Sequence, residues 1–248
     1  MLAQERYQII LDHLGEEGAA SVSQLSALLN ASEATVRRDL NVLAGEGKLK
    51  KVFGGATSIR QMGLVEEHVS LRETQMFEEK NRIAAYAASL IRDDDFVYID
   101  SGTTTACMIP HLKNMKATYV TNGVAHAYRL LRAGFTVYLI GGRLRPATEA
   151  VVGAEAMHGL LKYNFTKAFM GVNGVSQEKG FTTPDVEEAN VKQLAVERSF
   201  VSFVLADHSK FNRAFPVTFA RADACCILTD RLPKGKFPES MIIKEVDK

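Results

Sequence analysis

Seven short apolar runs from residue 96 onward most constrain the fold, because they alternate with stretches of helical periodicity. The runs are 96–100, 117–121, 135–140, 167–172, 200–206, 225–229 and 241–246. The helical stretches between and before them include 81–91, 124–132 and 189–198. Near-continuous apolar strands between helices are typical of a largely parallel sheet that helices cover on both faces. The sequence therefore predicts an α/β domain built on such a sheet.

Small and polar residues directly follow the first four of these runs. In open parallel sheets, ligands bind beyond the carboxyl ends of the strands, so these residues are the first candidates for a site. They are Asp100, Ser101, Gly102, Thr103, Thr104, Thr105, Asn122, Gly142, Arg143 and Asn173. Convergence of four loops at one edge of the sheet favours a pocket more strongly than any single loop does.

The segment from Asp100 to Thr105 has the composition of a phosphate-binding loop. Glycine lets the backbone approach an anion closely, the start of a helix offers unpaired N–H groups, and three threonine hydroxyls add donors. Pro110 is expected to bend or end that helix. Serine and threonine are also ordinary helix caps, so both interpretations remain open from these residues alone.

Two later segments add charged candidates to the same edge. Glu188 and Lys192 lie four residues apart on one face of a predicted helix, and Lys210 follows the strand run 200–206 in the sequence A-D-H-S-K-F. A solvent-exposed ion pair is the alternative explanation for Glu188 and Lys192, and such pairs contribute little stability.

A stretch near the N-terminus, A-S-E-A-T-V-R-R-D-L at 31–40, predicts a helix that reads DNA. Ser32 is a favourable N-cap. One face carries apolar residues at helical spacing, namely Val36, Leu40 and Leu43. The residues left for another face are Thr35, Arg37 and Arg38, which can reach phosphate oxygens or the acceptor edge of guanine in a major groove. A solvated helix face with two arginines is the alternative.

The sequence around this stretch predicts a winged helix-turn-helix. Helical patterns at 5–14 and 22–29 precede it, the second capped by Ser21 or Ser23, and two alternating runs flank Gly54 and Gly55 after it. The resulting hairpin would place Lys50 and Lys51 against backbone phosphates. Six basic and two acidic residues between 34 and 60 give this region a local charge of +4, whereas the whole chain carries +1.

Length and composition indicate two domains. The chain has 248 residues, of which 46% are hydrophobic and 24% charged. We expect a DNA-binding domain at 1–58 with its helix-turn-helix at about 20–39, a linker at 59–79 and a larger domain at 80–248. No apolar run reaches the length of a membrane span, which predicts a cytoplasmic protein without a membrane partner. The three cysteines lack metal-ligand spacing, and no cofactor is expected.

The N-terminal motifs resemble the signature of the DeoR family of bacterial transcription regulators. They are Arg6, Ser32, T-V-R-R-D-L at 35–40 and V-F-G-G-A at 52–56. The resemblance implies that Arg37 and Arg38 contact double-stranded operator DNA. Asp39 is expected to orient a neighbouring arginine or to cap locally, the alternative being a plain surface acid.

The loops of the larger domain are also similar to those of the DeoR family, in the motifs D-S-G-T-T, T-N, G-G, D-x-x-E-A-x-x-K and D-H-S-K-F. This implies a fold like that of ribose-5-phosphate isomerase and a phosphorylated sugar as effector. The phosphate would bind at 101–105, and the resemblance assigns the sugar to Asp100, Asn122, Arg143, Glu188, Lys192 and Lys210.

Two functions share this fold and these loops. The first is a transcriptional regulator, most simply a homo-oligomeric repressor of a sugar-utilisation operon that a sugar phosphate releases from DNA. The second is a sugar-phosphate isomerase or deaminase, in which Asp100, Glu188 and Lys192 would move protons. The winged helix favours the regulator, because an isomerase has no use for a DNA reader. Resemblance of 30–35 and 171–185 to fructose-operon repressors implies fructose 1-phosphate as the effector.

Overall fold

The computed structural model describes residues 2–58, 69–233 and 237–246. These residues belong to two compact units, one containing 2–58 and the other containing 69–232 and 237–246. Residues 59–68, which form about half of the predicted linker, lie outside the described residues.

The N-terminal unit consists of three helices and a small antiparallel sheet. Its elements are α1 (Ala3–Glu17), β1 (Ala19–Ser21), α2 (Val22–Leu29), α3 (Glu33–Gly45), β2 (Leu49–Val52) and β3 (Gly55–Ser58). The predicted caps form: Ser21 accepts from the backbone N–H of Gln24, and Ser32 accepts from that of Thr35, each at 3.2 Å. Asn30 takes the left-handed conformation between α2 and α3 and so makes the tight turn that the motif requires.

The apolar stripe of α3 packs into the core of this unit as its spacing predicts. Val36, Leu40 and Leu43 are buried together with Ile10 of α1 and Leu25 of α2. The sheet has the order β1-β3-β2, and a two-residue turn of Phe53 and Gly54 joins β2 to β3. A side chain at Gly55 would place its Cβ 2.2 Å from the carbonyl oxygen of Ala20, so only glycine fits where β3 meets β1. The predicted winged helix-turn-helix is confirmed.

The second unit alternates strands and helices along most of its length. Its first half comprises α4 (Val69–Thr74), α5 (Phe77–Ser89), β4 (Phe96–Ile99), α6 (Thr103–Ala106), β5 (Thr118–Thr121), α7 (Val124–Arg132), β6 (Thr136–Leu139), β7 (Arg143–Arg145) and β8 (Ala150–Val152). Its second half comprises α8 (Ala154–Leu160), β9 (Phe165–Gly171), β10 (Gly174–Ser176), β11 (Gly180–Thr183), α9 (Val186–Glu197), β12 (Ser199–Leu205), β13 (Val217–Ala220), β14 (Cys226–Thr229) and β15 (Ile243–Glu245).

The seven predicted strand runs form one parallel sheet with the order β15-β14-β12-β9-β4-β5-β6. Successive residues of β4 face opposite layers. Val97 and Ile99 pack in the layer that contains Ile83 of α5, whereas Tyr98 packs in the layer that contains Leu160 of α8. The α/β class and the two-sided coverage of the sheet are therefore confirmed.

Three local features differ from the sequence prediction. Helices α4 and α5 occupy residues 69–74 and 77–89, so helical structure begins within the predicted linker and before residue 80. The helix after the candidate phosphate loop, α6, is only four residues long, and a 3-10 turn containing Pro110 follows it at Ile109–His111. One turn of helix carries little macrodipole, so side-chain charge must supply most of any attraction for an anion. The hairpin β7-β8 and the small sheet β10-β11-β13 had no clear sequence signal.

Candidate DNA-binding surface and effector pocket

The face of α3 opposite its buried stripe is exposed along its whole length. Its residues recur at i, i+3, i+4 and i+7: Ala34, Arg37, Arg38 and Asn41. Thr35 lies beside this face, half-buried, with its hydroxyl 2.9 Å from that of Ser32. The arginines supply hydrogen-bond donors, Asn41 supplies an amide and Ala34 supplies a methyl group. These are the kinds of group that read base edges in a major groove. Asn41 was not predicted from the sequence.

The two arginines of this face are not committed to the protein core. Arg37 pairs with Glu33 at 3.3 Å, but both side chains are more than half exposed, so the pair contributes little and can break on binding DNA. Arg38 is exposed and forms no ion pair with a described residue. On the wing, Lys50 and Lys51 are both exposed, and Lys51 donates to the side chain of Asn41 on α3.

Asp39 pairs with an arginine, but this is the distant Arg6 and not a neighbouring arginine as predicted. Its carboxylate is buried and accepts two hydrogen bonds from Arg6, from Nε at 2.7 Å and from Nη2 at 3.0 Å. A two-point contact of this geometry is strong and directional. Asp39 therefore fixes α1 against α3 and is not available to DNA.

The candidate effector pocket of the second unit lies at the carboxyl edge of the large sheet and has a volume of about 500 Å³, part of it open to solvent. Eight of the thirteen predicted effector residues line it: Ser101, Gly102, Thr103, Thr104, Asn173, Glu188, Lys192 and Lys210. The backbones of Gly102 and Gly171 meet at its floor, where a Cβ on Gly102 would lie 3.3 Å from the Cα of Gly171.

Four cationic side chains line the pocket: Arg72, Lys80, Lys192 and Lys210. Lys80 is 2% exposed, and its ammonium donates to the hydroxyl of Thr103 at 3.1 Å and to the carbonyl of Arg72. Both acceptors are neutral, and no described carboxylate forms an ion pair with Lys80. Burial lowers the pKa of Lys80 below its ordinary value, and the nearby charge of Lys210 lowers it further. The nearby carboxylate of Asp207 partly offsets both effects without bonding Lys80. A buried ammonium that no carboxylate bonds directly is costly and favours a bound anion.

The carboxylates of the pocket are engaged by other groups. Asp100 is buried beneath the loop, and its Oδ2 accepts from the backbone of Gly171 at 3.0 Å and from Lys192. Glu188 accepts from Arg145 at 3.2 Å and from Thr148. Glu188 and Lys192 are each 6% exposed, which excludes the solvent-exposed ion pair considered from the sequence.

Three polar atoms at this edge are buried with no hydrogen-bond partner among the described residues. They are Oδ1 of Asp100, Nε of Arg72 and Oδ2 of Asp207, which lies 4.0 Å from the ammonium of Lys210. Buried polar groups are nearly always hydrogen-bonded, so each indicates a partner beyond the described chain, such as ligand or water.

The other five predicted effector residues lie elsewhere. Asp100 is below the pocket, and the Thr105 hydroxyl is buried and donates to the carbonyls of Asp100 and Gly102. Asn122 supports the loop from behind, because its side chain accepts from Ser101 N at 3.1 Å and donates to Val151 O at 3.3 Å. The remaining two, Gly142 and Arg143, do not line the pocket, and the half-exposed Arg143 pairs with Glu187.

His126 of α7 supports the same loop from inside the fold. Its Nε2 lies 3.0 Å from the carbonyl of Gly102 and 3.3 Å from the Thr105 hydroxyl. Burial lowers the pKa of His126 to about 4, so the ring is neutral at physiological pH and donates its single N–H to Gly102. His126 was not predicted, because an isolated histidine on a helix gives no functional signal.

Sequence reasoning also missed four pocket or near-pocket residues. Arg72 and Lys80 lie on α4 and α5, ahead of the first strand, where no strand end drew attention to them. Thr148 and Arg145 belong to the β7-β8 hairpin, which was itself unpredicted. Among the residues that the structure describes, no helix is long and apolar enough to cross a membrane, and no cluster of three or more metal-ligand side chains occurs.

Comparison with known families accounts for almost the whole chain. A model described as the DeoR-like helix-turn-helix domain matches residues 6–62, and one described as the DeoR C terminal sensor domain matches residues 75–231. A protein named as the uncharacterized HTH-type transcriptional regulator FruR of Bacillus subtilis (strain 168) is 39% identical over 99% of each chain. The lactose phosphotransferase system repressor of Staphylococcus aureus (strain N315) is 35% identical over 84% of each chain.

Among solved structures, ribose 5-phosphate isomerase A from Methanocaldococcus jannaschii aligns with 53% of this chain and 53% of its own, with a TM-score of 0.40 and 16% identity. Similarity at that level carries no argument about function.

A winged helix with an exposed basic face, together with a separate α/β sensor unit, defines a DNA-binding transcriptional regulator. The chain belongs to the DeoR family of transcriptional regulators. It is a regulator and not an enzyme, which decides between the two functions that the sequence left open.

Proposed function

We propose that the protein represses a sugar-utilisation operon and that a phosphorylated sugar, best represented by fructose 1-phosphate, releases it from operator DNA. The Staphylococcus aureus relative is named as a repressor of a sugar phosphotransferase system, which supports a sugar operon as the target. The motifs at 30–35 and 171–185 support fructose 1-phosphate among the candidate effectors.

The observation that carries the phosphate assignment is the buried ammonium of Lys80. It points at the hydroxyl of Thr103 on the S-G-T-T-T loop and lacks a carboxylate partner among the described residues. A phosphate carries about 1.5 to 2 negative charges at neutral pH and three strong acceptor oxygens. Such a group would neutralise Lys80 and accept from the Thr103 hydroxyl and the backbone of the loop.

The sugar part of the effector would contact pocket residues other than the loop. Asn173, Glu188 and Lys192 line the pocket and offer an amide, a carboxylate and an ammonium, which suit hydroxyl groups. We propose Lys210 and Arg72 as further contacts to the phosphate. Arg143, Gly142 and Asn122 are retained only as residues that shape the surrounding loops.

For DNA, we propose that Arg37 and Arg38 enter the major groove while Lys50 and Lys51 contact phosphates. Ser32 and Thr35 start the helix that carries the arginines, and their hydroxyls are close enough to the helix terminus to reach the DNA backbone. Two copies of the chain would read two half-sites one helical turn, or a multiple of it, apart.

Effector binding would change DNA affinity through a change in the position of α4. Arg72 is on this helix, and the backbone N–H of Val69 at its start donates to Ala147 O at 3.2 Å, next to the pocket residue Thr148. We propose that phosphate holds Arg72 and so alters how α4 is positioned. The effector must bind the two arrangements with different affinity, since otherwise it would shift nothing.

A thermal-shift panel of sugar phosphates tests the effector class. Fructose 1-phosphate is expected to raise the melting temperature at concentrations where fructose does not, because a ligand that binds only the folded state stabilises it. Equal shifts with fructose and fructose 1-phosphate would refute the phosphate assignment, and a larger shift with another sugar phosphate would replace fructose 1-phosphate.

A further inference from the structure

The tip of the wing carries a phenylalanine that the fold of the N-terminal unit does not use. Phe53 has a relative exposure of 108%, and Val52 before it is 44% exposed. Burying such a ring is favourable, and in the fold of this unit the ring contributes none of that stabilisation. A single exposed apolar residue is ordinary, but a ring held at the end of a basic hairpin has a defined direction and surroundings.

The turn that presents Phe53 is fixed from both sides. The carbonyl of Gly54 accepts from the backbone N–H of Val22 at 2.8 Å, which ties the turn to the start of α2. Gly54 has φ +77, a conformation that favours glycine. Gly55 is pressed against the backbone of Ala20. The backbone that carries Phe53 is therefore held in place, so little backbone entropy is lost when the ring binds.

The positive charge near Phe53 indicates which kind of partner the wing binds. Lys50 and Lys51 on β2 are exposed, and Lys51 also bonds Asn41 on the exposed face of α3. A wing that is basic along its strand and apolar at its tip suits a duplex groove bounded by phosphates, because the lysines meet the backbone while the ring meets the bases.

We propose that Phe53 is a wedge that enters the minor groove beside the half-site and partly unstacks one base step. Apolar side chains inserted in this way kink the duplex toward the major groove by about 20 to 90°. Pyrimidine–purine steps such as TA and CA open most easily, so the wedge reads deformability at a position that no polar side chain contacts. The inference rests on the DNA-binding function and adds a specificity element to it.

The test uses the full-length chain and a duplex that the parent protein selects from a library with a randomised core. Phe53→Ala should bind that duplex about tenfold more weakly and bend it less in a circular-permutation gel assay, while Phe53→Leu retains most of both. Leu2→Ala, at another exposed apolar residue of this unit, should behave like the parent. Replacing the pyrimidine–purine step in the duplex should weaken the parent and leave Phe53→Ala unchanged.

Three outcomes would overturn the wedge. Phe53→Ala could bind and bend the duplex as the parent does, or it could weaken binding with the bend unchanged. Loss of self-association in Phe53→Ala, measured by sedimentation without DNA, would assign the ring to a protein contact instead. Arg38→Ala on the same duplex distinguishes failure of the Phe53 proposal from failure of the proposed DNA-binding function. A loss of affinity in Arg38→Ala supports DNA reading by α3 even if Phe53 has no role.

Discussion

The ammonium of Lys80 lies 3.1 Å from the hydroxyl of Thr103. In the chain, the helix that carries Lys80 precedes strand β4 and the helix that carries Thr103 follows it. Lys80 approaches from α5, and Thr103 begins α6. Their contact places a desolvated positive charge directly at the S-G-T-T-T loop. We expect this charge to bind the phosphate of the effector.

Replacing Lys80 with methionine should separate binding from stability. Lys80→Met removes a buried charge while nearly preserving the shape of the side chain. The free energy of unfolding should therefore rise, or fall by no more than about 1 kcal/mol. Affinity for a sugar phosphate should fall about tenfold to a hundredfold, since a hydrogen bond to a charged group contributes about 1.5 to 3 kcal/mol. Urea denaturation and calorimetric titration measure the two effects. Unchanged affinity would remove Lys80 from the site.

Two threonines of the same loop provide a matched pair. Thr103→Ala should weaken effector binding about tenfold with little loss of stability, because Thr103 lines the pocket. Thr105→Val should cost about 1 to 2 kcal/mol of stability, since its hydroxyl donates to Asp100 O and Gly102 O and Thr105 does not line the pocket. Titration and denaturation of both variants test this assignment, and the reverse pattern would contradict it.

On DNA, the recognition helix and the wing should give different signatures. Arg37→Ala or Arg38→Ala should each cost about 1 to 3 kcal/mol of operator affinity and relax the preference at one base pair. Lys50→Ala and Lys51→Ala should weaken all sequences alike and reduce the salt slope by about one unit. Fluorescence anisotropy at several salt concentrations measures both. Parent-like binding by both arginine variants would show that α3 does not read bases.

The buried neutral histidine predicts a stability loss in mild acid. The pKa of His126 is lowered to about 4 in the folded state, so the unfolded chain binds a proton first, at about pH 6.5. The stabilising contribution is therefore complete above pH 6.5 and is lost as pH falls toward 4, by about 2 kcal/mol between pH 7 and pH 5. Denaturation of the parent and His126→Gln at both pH values isolates this effect. An identical pH dependence in the two proteins would exclude His126 as its source.

The features that the sequence predicted correctly are those with a strong periodic pattern of apolar residues. The seven strands are apolar because helices cover both faces of the sheet, and the strand ends then place Ser101, Asn173 and Lys210 at one edge. The wing was predicted from the two alternating runs that flank Gly54 and Gly55.

What the sequence could not reveal depends on contacts between distant residues. Arg6 and Asp39 are thirty-three positions apart, and nothing local shows that they meet. Lys80 occupies a helix on which a lysine is normally solvated, so only the packing of α5 against the loop reveals its burial. Arg143 and Arg145 are two residues apart on β7, yet Arg145 reaches the buried Glu188 while Arg143 pairs with the more exposed Glu187.

The most direct measurement is release of a bound duplex by fructose 1-phosphate. The duplex is the one that the parent selects from a randomised library, and anisotropy is followed as fructose 1-phosphate, fructose or inorganic phosphate is added to the parent and to Lys80→Met. The account predicts that fructose 1-phosphate releases the parent, that fructose does not, and that Lys80→Met binds the same duplex but needs at least about tenfold more effector. Release of both proteins at the same concentration, or of the parent by fructose alone, would contradict it.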